Sequence, residues 1–250
     1  MKANKNSIFS SIITQNSFGF QSTNSDITSK LVHTNGDLYY FKVGVKRNTK
    51  RYKKDFSEEV IENYPNVMVV INNDPQVQKI AIQTNTTAFD KSIIVARFIK
   101  STVEKFLKDY NISFSVEPTF DKQQFWNIVR QYPKQIKQVT FDLISPNITN
   151  LSDDLEFDLR SLHGDTNTQK TRLELNADED SYLTIDENST LVNSIVNYSA
   201  KGGGEISVRV EGIKRKLHTA QSVNDFNVEE QLIKSNDWDA IDKAFKNILI

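Results

Sequence analysis

The chain has 250 residues, 38 % of them apolar, with fifteen Phe and eight Tyr; this suits one large folded domain or two small ones and excludes a disordered chain. It contains no cysteine, which excludes disulfides, thiolate–zinc sites and iron–sulfur clusters. The net charge of −1 hides a separation: residues 1–54 hold ten Lys/Arg against two acids, and residues 142–188 hold twelve acids against three bases. One surface therefore seeks an anion, while another seeks a cation or opposes self-association.

In chain order, residues 1–25 are Ser/Asn-rich and aperiodic, and read as a flexible start or one edge strand. Their apolar-leaning piece, residues 8–14, is too short and polar for a signal peptide, and no later stretch approaches a membrane span, so a cytoplasmic protein is expected. Residues 28–32 and 38–45 read as strands joined at Asn35-Gly36, a tight primed turn with positive φ at both positions. Residues 68–71 and 78–83 form a second hairpin around Asn72-Asn73-Asp74-Pro75. Val95, Ile99, Val103, Phe106 and Tyr110 recur at helical spacing, predicting a helix over 90–110 capped by Asp90.

After that helix the order alternates. Residues 112–116 read as a strand stopped by Pro118, 122–131 as a helix stopped by Pro133, and 136–144 as a strand stopped by Pro146. Residues 153–162 stay open between helix and strand, while 172–175 and 182–185 read as short strands or an acidic hairpin. Leu191, Ile195 and Tyr198 share one face of a helix over 187–200, which Gly202–Gly204 end. Residues 205–210 alternate as a strand, with Glu205, Ser207 and Arg209 opposite Ile206, Val208 and Val210. Asn227 and Glu230 suggest a capping box before a last helix, whose stripe of Trp238, Ile241, Phe245 and Ile248 suits either the core or a two-fold dimer contact. Together these elements predict an α+β fold: N-terminal β-hairpins, then alternating strands and helices, with a mainly antiparallel sheet. The expected division is a basic, hairpin-rich region over 1–110 and an α+β region with an acidic segment over 111–250, or one continuous domain.

Two basic groups carry the functional reading. Lys42, Lys46, Arg47, Lys50, Arg51, Lys53 and Lys54 crowd thirteen residues around Tyr52, as a hairpin end that tracks a phosphate backbone would. Arg209, Lys214, Arg215 and Lys216 form the second group, with His218 beside it. The plainer alternative is a solvated basic loop. Gly202-Gly203-Gly204 is no phosphate loop, because a helix precedes it, a strand follows it, and Glu205 stands where Lys-Ser/Thr belongs. The acidic runs Asp153, Asp154, Glu156, Asp158 and Asp178-Glu179-Asp180 lack calcium-loop spacing, and no strand carries the Glu-x-Lys of a nuclease site. No catalytic residue, metal site or cofactor is expected.

Residues 31–121 resemble the RexA-like phage-exclusion proteins in an early hairpin (31–45), apolar strands around Asn72-Asn73-Asp74 and a helix over 93–110. The segment Val139-Thr140-Phe141-Asp142-Leu143-Ile144-Ser145-Pro146-Asn147 is similar to a piece of such proteins. The resemblance implies a cytosolic DNA-binding dimer acting in phage defence with a protein partner. The resulting expectation is a non-enzymatic nucleic-acid-binding protein, DNA favoured, from a bacterial or mobile-element gene. A metal-dependent nuclease and an assembly protein of a phage or mobile element are the alternatives.

Overall fold

The computed structural model describes residues 5–145, 153–219 and 224–249, leaving aside the side chains of 153–158. It is an α+β protein in which the described residues form seven helices and three antiparallel sheets. They divide into two compact units: residues 1–116 with 227–250, and residues 117–226.

The first unit opens with helix α1 (Lys5–Ile13), where a flexible start or edge strand was expected. Phe9, Ile12 and Ile13 recur at helical spacing and are buried, so tertiary packing overrides the polar composition. Buried Asn73 ties this helix down: its Nδ2 donates to Asn6 O at 2.9 Å and to Ser10 Oγ at 2.8 Å. Strands β1 (Ile27–Asn35) and β2 (Leu38–Val45) form the first hairpin. Asn35 pairs with Leu38, so the turn residues are Gly36 and Asp37, one position later than expected. Only Gly36 has positive φ (59°), the pattern of a type II′ turn, in which glycine takes the first central position. A separate ribbon follows, β3 (Arg47–Tyr52) with β4 (Glu58–Asn63). Then β5 (Asn66–Asn72) and β6 (Lys79–Ile82) complete a sheet of order β1-β2-β5-β6. Helix α2 (Ser92–Leu107) continues as a 3₁₀ turn, Lys108–Tyr110; its cap position is Lys91, without a side-chain bond, rather than Asp90. Residues 112–116 form no strand, and Ile112 and Phe114 instead pack on the core.

In the second unit, α3 (Gln123–Gln131) precedes β7 (Ile136–Ile144), α4 (Asp153–Thr166) and β8 (Lys170–Asn176). The open segment 153–162 is thus helical, whereas 182–185 is not a strand. Helix α5 (Thr190–Tyr198) runs through a π-type turn into β9 (Gly204–Val210), and β10 (Leu217–His218) closes a sheet of order β10-β9-β7-β8. The alternation on β7 and β9 gathers Val139, Phe141, Ile206 and Val208 onto one face, under Phe125, Trp126, Ile195 and Val196. Leu191 does not share this face and stands exposed. Gly202 ends the helix in left-handed geometry (φ 92°, ψ 10°).

The chain then returns to the first unit with α6 (Glu230–Lys234) and α7 (Trp238–Ile248). The caps are not the expected Asn227 box: α6 starts at Glu229 without a side-chain bond, and Asp237 caps α7 by accepting from Ala240 N at 3.1 Å. Alternation on β2 explains why both helix layers are needed. Tyr39, Phe41, Val43 and Val45 face the core built with α1 and α2, while Leu38 and Tyr40 face Ile241, Phe245 and Leu249. The C-terminal stripe offered as a dimer contact is therefore buried against the chain's own sheet. Burying Ile241 and Phe245 stabilises this layer by about 1.5–3 kcal/mol each.

One polar cluster sits inside that layer. Asp242, 4 % exposed, accepts from Asn35 Nδ2 at 2.6 Å and lies 3.2 Å from His33 Nε2; the His33 ring stacks on Trp238 at 4.4 Å. Burial acts to raise the Asp242 carboxyl but is outweighed by Tyr40, Asn35 and His33, which hold it below the usual carboxylate range. Burial, with Asp242 alongside, pushes the Tyr40 hydroxyl far up. This tyrosine acts by proximity, since neither its hydroxyl nor Asp242 Oδ1 completes a hydrogen bond.

Candidate nucleic-acid interface

The basic stretch 42–54 divides between two structures. Lys42 lies on β2 in the four-stranded sheet, opposite Lys30 and Met68. The other six cations belong to the β3–β4 ribbon or its immediate ends. Every residue of β3 is exposed, as are all but Glu59 of β4. With water on both faces, neither strand needs alternating apolar residues, which is why the sequence leaves a hairpin end and a solvated loop open and defines no strands here.

Register places the charges. Lys50 faces Val60, Arg51 faces Glu59 and Tyr52 faces Glu58 across the ribbon. Three lysines meet glutamates of the other strand: Lys46 with Glu62, Lys50 with Glu58 at 2.7 Å, and Lys53 with Glu59 at 3.8 Å. The Lys46–Glu62 contact raises the ammonium and lowers the carboxyl, so both stay charged. These exposed pairs contribute little to stability, but they neutralise half of the six ribbon cations. Arg47 is anchored by donation from Nη2 to Ala88 O at 2.9 Å. Arg51 and Lys54 form no ion pair among the described residues, which leaves them as the free cations nearest the tip.

The tip is a tight loop in which Lys53 N donates to Ser57 O and Phe56 N to Lys53 O, each at 3.0 Å. Asp55 Oδ1 accepts from Ser57 N at 3.1 Å and from Ser57 Oγ at 2.6 Å, and these bonds hold its carboxyl below the usual range. Phe56 closes the loop at φ 65°, in the left-handed region where glycine is the usual residue. That conformation costs about 1–3 kcal/mol for a bulky side chain, yet the ring is 88 % exposed. Tyr52 is 66 % exposed, and its hydroxyl donates to Glu58 at 3.2 Å. Val60, Ile61 and Tyr64 are exposed as well. The charge pattern included Tyr52 but missed Phe56, Tyr64 and the glutamates. A count cut at residue 54 leaves out Glu58, Glu59 and Glu62, although they pair with the basic strand.

The second basic group belongs to the other unit. Arg209 is exposed on β9 opposite Gln138, and Lys214 and Arg215 are exposed in the β9–β10 connection; Lys216 is half-buried. His218 Nδ1 lies 2.6 Å from Glu205 Oε1. Asp142 lies opposite Glu205 on β7 and pairs with Arg172 at 2.8 Å. Among the described residues no three His, Asp or Glu side chains converge as cation ligands. The side chains of Asp153, Asp154, Glu156 and Asp158 lie outside the described residues, as do Pro146 and Asn147. No described helix is long and apolar enough to cross a membrane. No family model, curated protein or solved structure matches the chain.

Proposed function

We propose that the chain is a non-enzymatic nucleic-acid-binding protein that grips a phosphate backbone with the β3–β4 ribbon. The observation that carries this reading is the tip: Arg51 and Lys54, which form no ion pair among the described residues, are exposed on either side of the exposed Tyr52 in the chain. The three lysine–glutamate pairs hold further cations that exchange a glutamate for a phosphate at little cost, since exposed pairs are weak. Backbone contacts of this kind position without specifying, so binding is sequence-tolerant. The resemblance of residues 31–121 to RexA-like proteins supports placing this activity in phage exclusion, on DNA and with a protein partner.

The test is duplex binding as a function of salt. Affinity should fall log–log with a slope of about −0.9 per phosphate contact, and Arg51→Ala/Lys54→Ala should flatten that slope by about 1.8 on all sequences alike. No affinity at physiological salt, or a slope untouched by the double variant, overturns the reading.

One observation favours a second reading, an assembly protein: Val60 and Ile61, on opposite faces of the ribbon, and Tyr64 just past it are each exposed. In that case sedimentation shows self-association that Val60→Ser/Ile61→Ser abolishes.

A further inference from the structure

The Phe56 ring is mounted where the backbone would accept glycine more easily. Loop closure does not need it, because the tip hydrogen bonds come from backbone groups and from Asp55. Its exposure of 88 % shows that it contributes nothing to the core either. An aromatic side chain held at positive φ and projected into water is a cost in the free protein, and such costs mark functional sites. From these observations, and resting on the nucleic-acid reading above, we infer that Phe56 and Tyr52 form a stacking pair for unpaired bases. The preferred ligand is then a single strand, or a duplex opened locally, rather than an intact duplex.

The surroundings of the rings favour bases over the other occupants of an aromatic tip. Within the run Arg51-Tyr52-Lys53-Lys54-Asp55-Phe56 cations flank Tyr52 and two lysines stand between the two rings, so that π-faces and phosphate partners lie within one short stretch of chain. A lipid surface would have to take up Asp55, Glu58 and Glu59 with the rings, and all three carboxylates stand at the same end of the ribbon. A base needs only the face of an exposed ring and leaves those carboxylates in water. A protein groove would need a continuous apolar rim, whereas the residues next to Phe56 are Asp55 and Ser57. Stacking is also indifferent to base identity, since every base has a π-face, so this inference keeps the sequence tolerance of backbone binding.

The experiment compares the full-length protein with Phe56→Gly and Phe56→Ala on two probes. One is a mixed-sequence DNA single strand carrying a fluorescent adenine analogue; the other is its blunt duplex. The unaltered protein should bind the single strand more tightly and change the analogue's fluorescence. Both variants should lose about ten-fold in single-strand affinity, together with the fluorescence change, while duplex affinity and its salt slope stay in place. Phe56→Gly should keep or raise the melting temperature, which separates a lost contact from a damaged fold. If both variants bind the single strand like the parent, the stacking inference fails and the backbone reading stands. If the parent binds neither probe, the backbone reading itself fails. Binding to anionic vesicles, or self-association, that Phe56→Gly abolishes would also overturn the inference by assigning the ring to a membrane or to a second copy.

Discussion

Two residues show how much a single position carries. Gly204 leads into β9 at φ 143°, and a Cβ there would lie 2.0 Å from the carbonyl oxygen of Asp142 on the adjacent strand. Replacing it with alanine forces β7 and β9 apart and should cost about 3 kcal/mol or more, read as a lower denaturant midpoint. Asp242 acts through charge instead. Its folded carboxyl lies below the usual range, so its stabilisation is present above about pH 4 and fades as pH falls toward the folded value. Asp242→Ala should cost about 1–3 kcal/mol at neutral pH and flatten the acid limb of the stability profile. An unchanged acid limb would assign the acid sensitivity to other carboxylates. The glycine run was legible as a helix stop because positive φ leaves a mark in composition. The partnership of Asp242 with His33 and Asn35 was not, since its members are separated by about two hundred positions of sequence.

At the scale of elements, legibility followed burial. The apolar stripes of α2 and α7 stand out because one side of each meets a core and the other meets water, and β7 because its apolar residues are bounded by prolines and packed in the core. The ribbon has no buried side, and the helical spacing of Phe9, Ile12 and Ile13 in α1 spans too few residues to stand out from its serines. Helix α7 illustrates the second kind of ambiguity: a stripe shows that something covers it, but not what. Its cover is the outer side of the first sheet. Ile241→Ala or Phe245→Ala should therefore cost about 2–5 kcal/mol, and Trp238 fluorescence should report unfolding at that earlier midpoint. If Phe245→Ala instead only weakened self-association and left the midpoint alone, the stripe would belong to an interface. The ribbon tip predicts the opposite behaviour, a substitution that changes binding while stability holds.

Across the whole molecule, the second unit is continuous in sequence and the first is not. A fragment of residues 117–226 contains its own four strands and its own core, and should unfold cooperatively by itself. A fragment of residues 1–116 lacks the cover of Leu38, Tyr40, Met68 and Val70, and should aggregate or bind hydrophobic dyes unless residues 227–250 are supplied. Cooperative unfolding of 1–116 alone would contradict the role given to the last helix. The charge separation survives as a contrast between local settings. The basic strand meets glutamates across its own ribbon, while Asp142 and Glu205 of the second unit meet Arg172 and His218.

That discontinuity orders events in time. A growing polypeptide emerges from its N-terminus, so the strands of the first sheet are made before the second unit and α7 after it. The second unit has everything it needs before the ribosome reaches α7. For that interval one side of the first sheet is unroofed, with Leu38, Tyr40, Met68 and Val70 bare. The first unit is thus vulnerable until α7 emerges, and its completion depends on residues 227–250. A stop codon at position 227 would leave the inserted unit intact and its host unfinished.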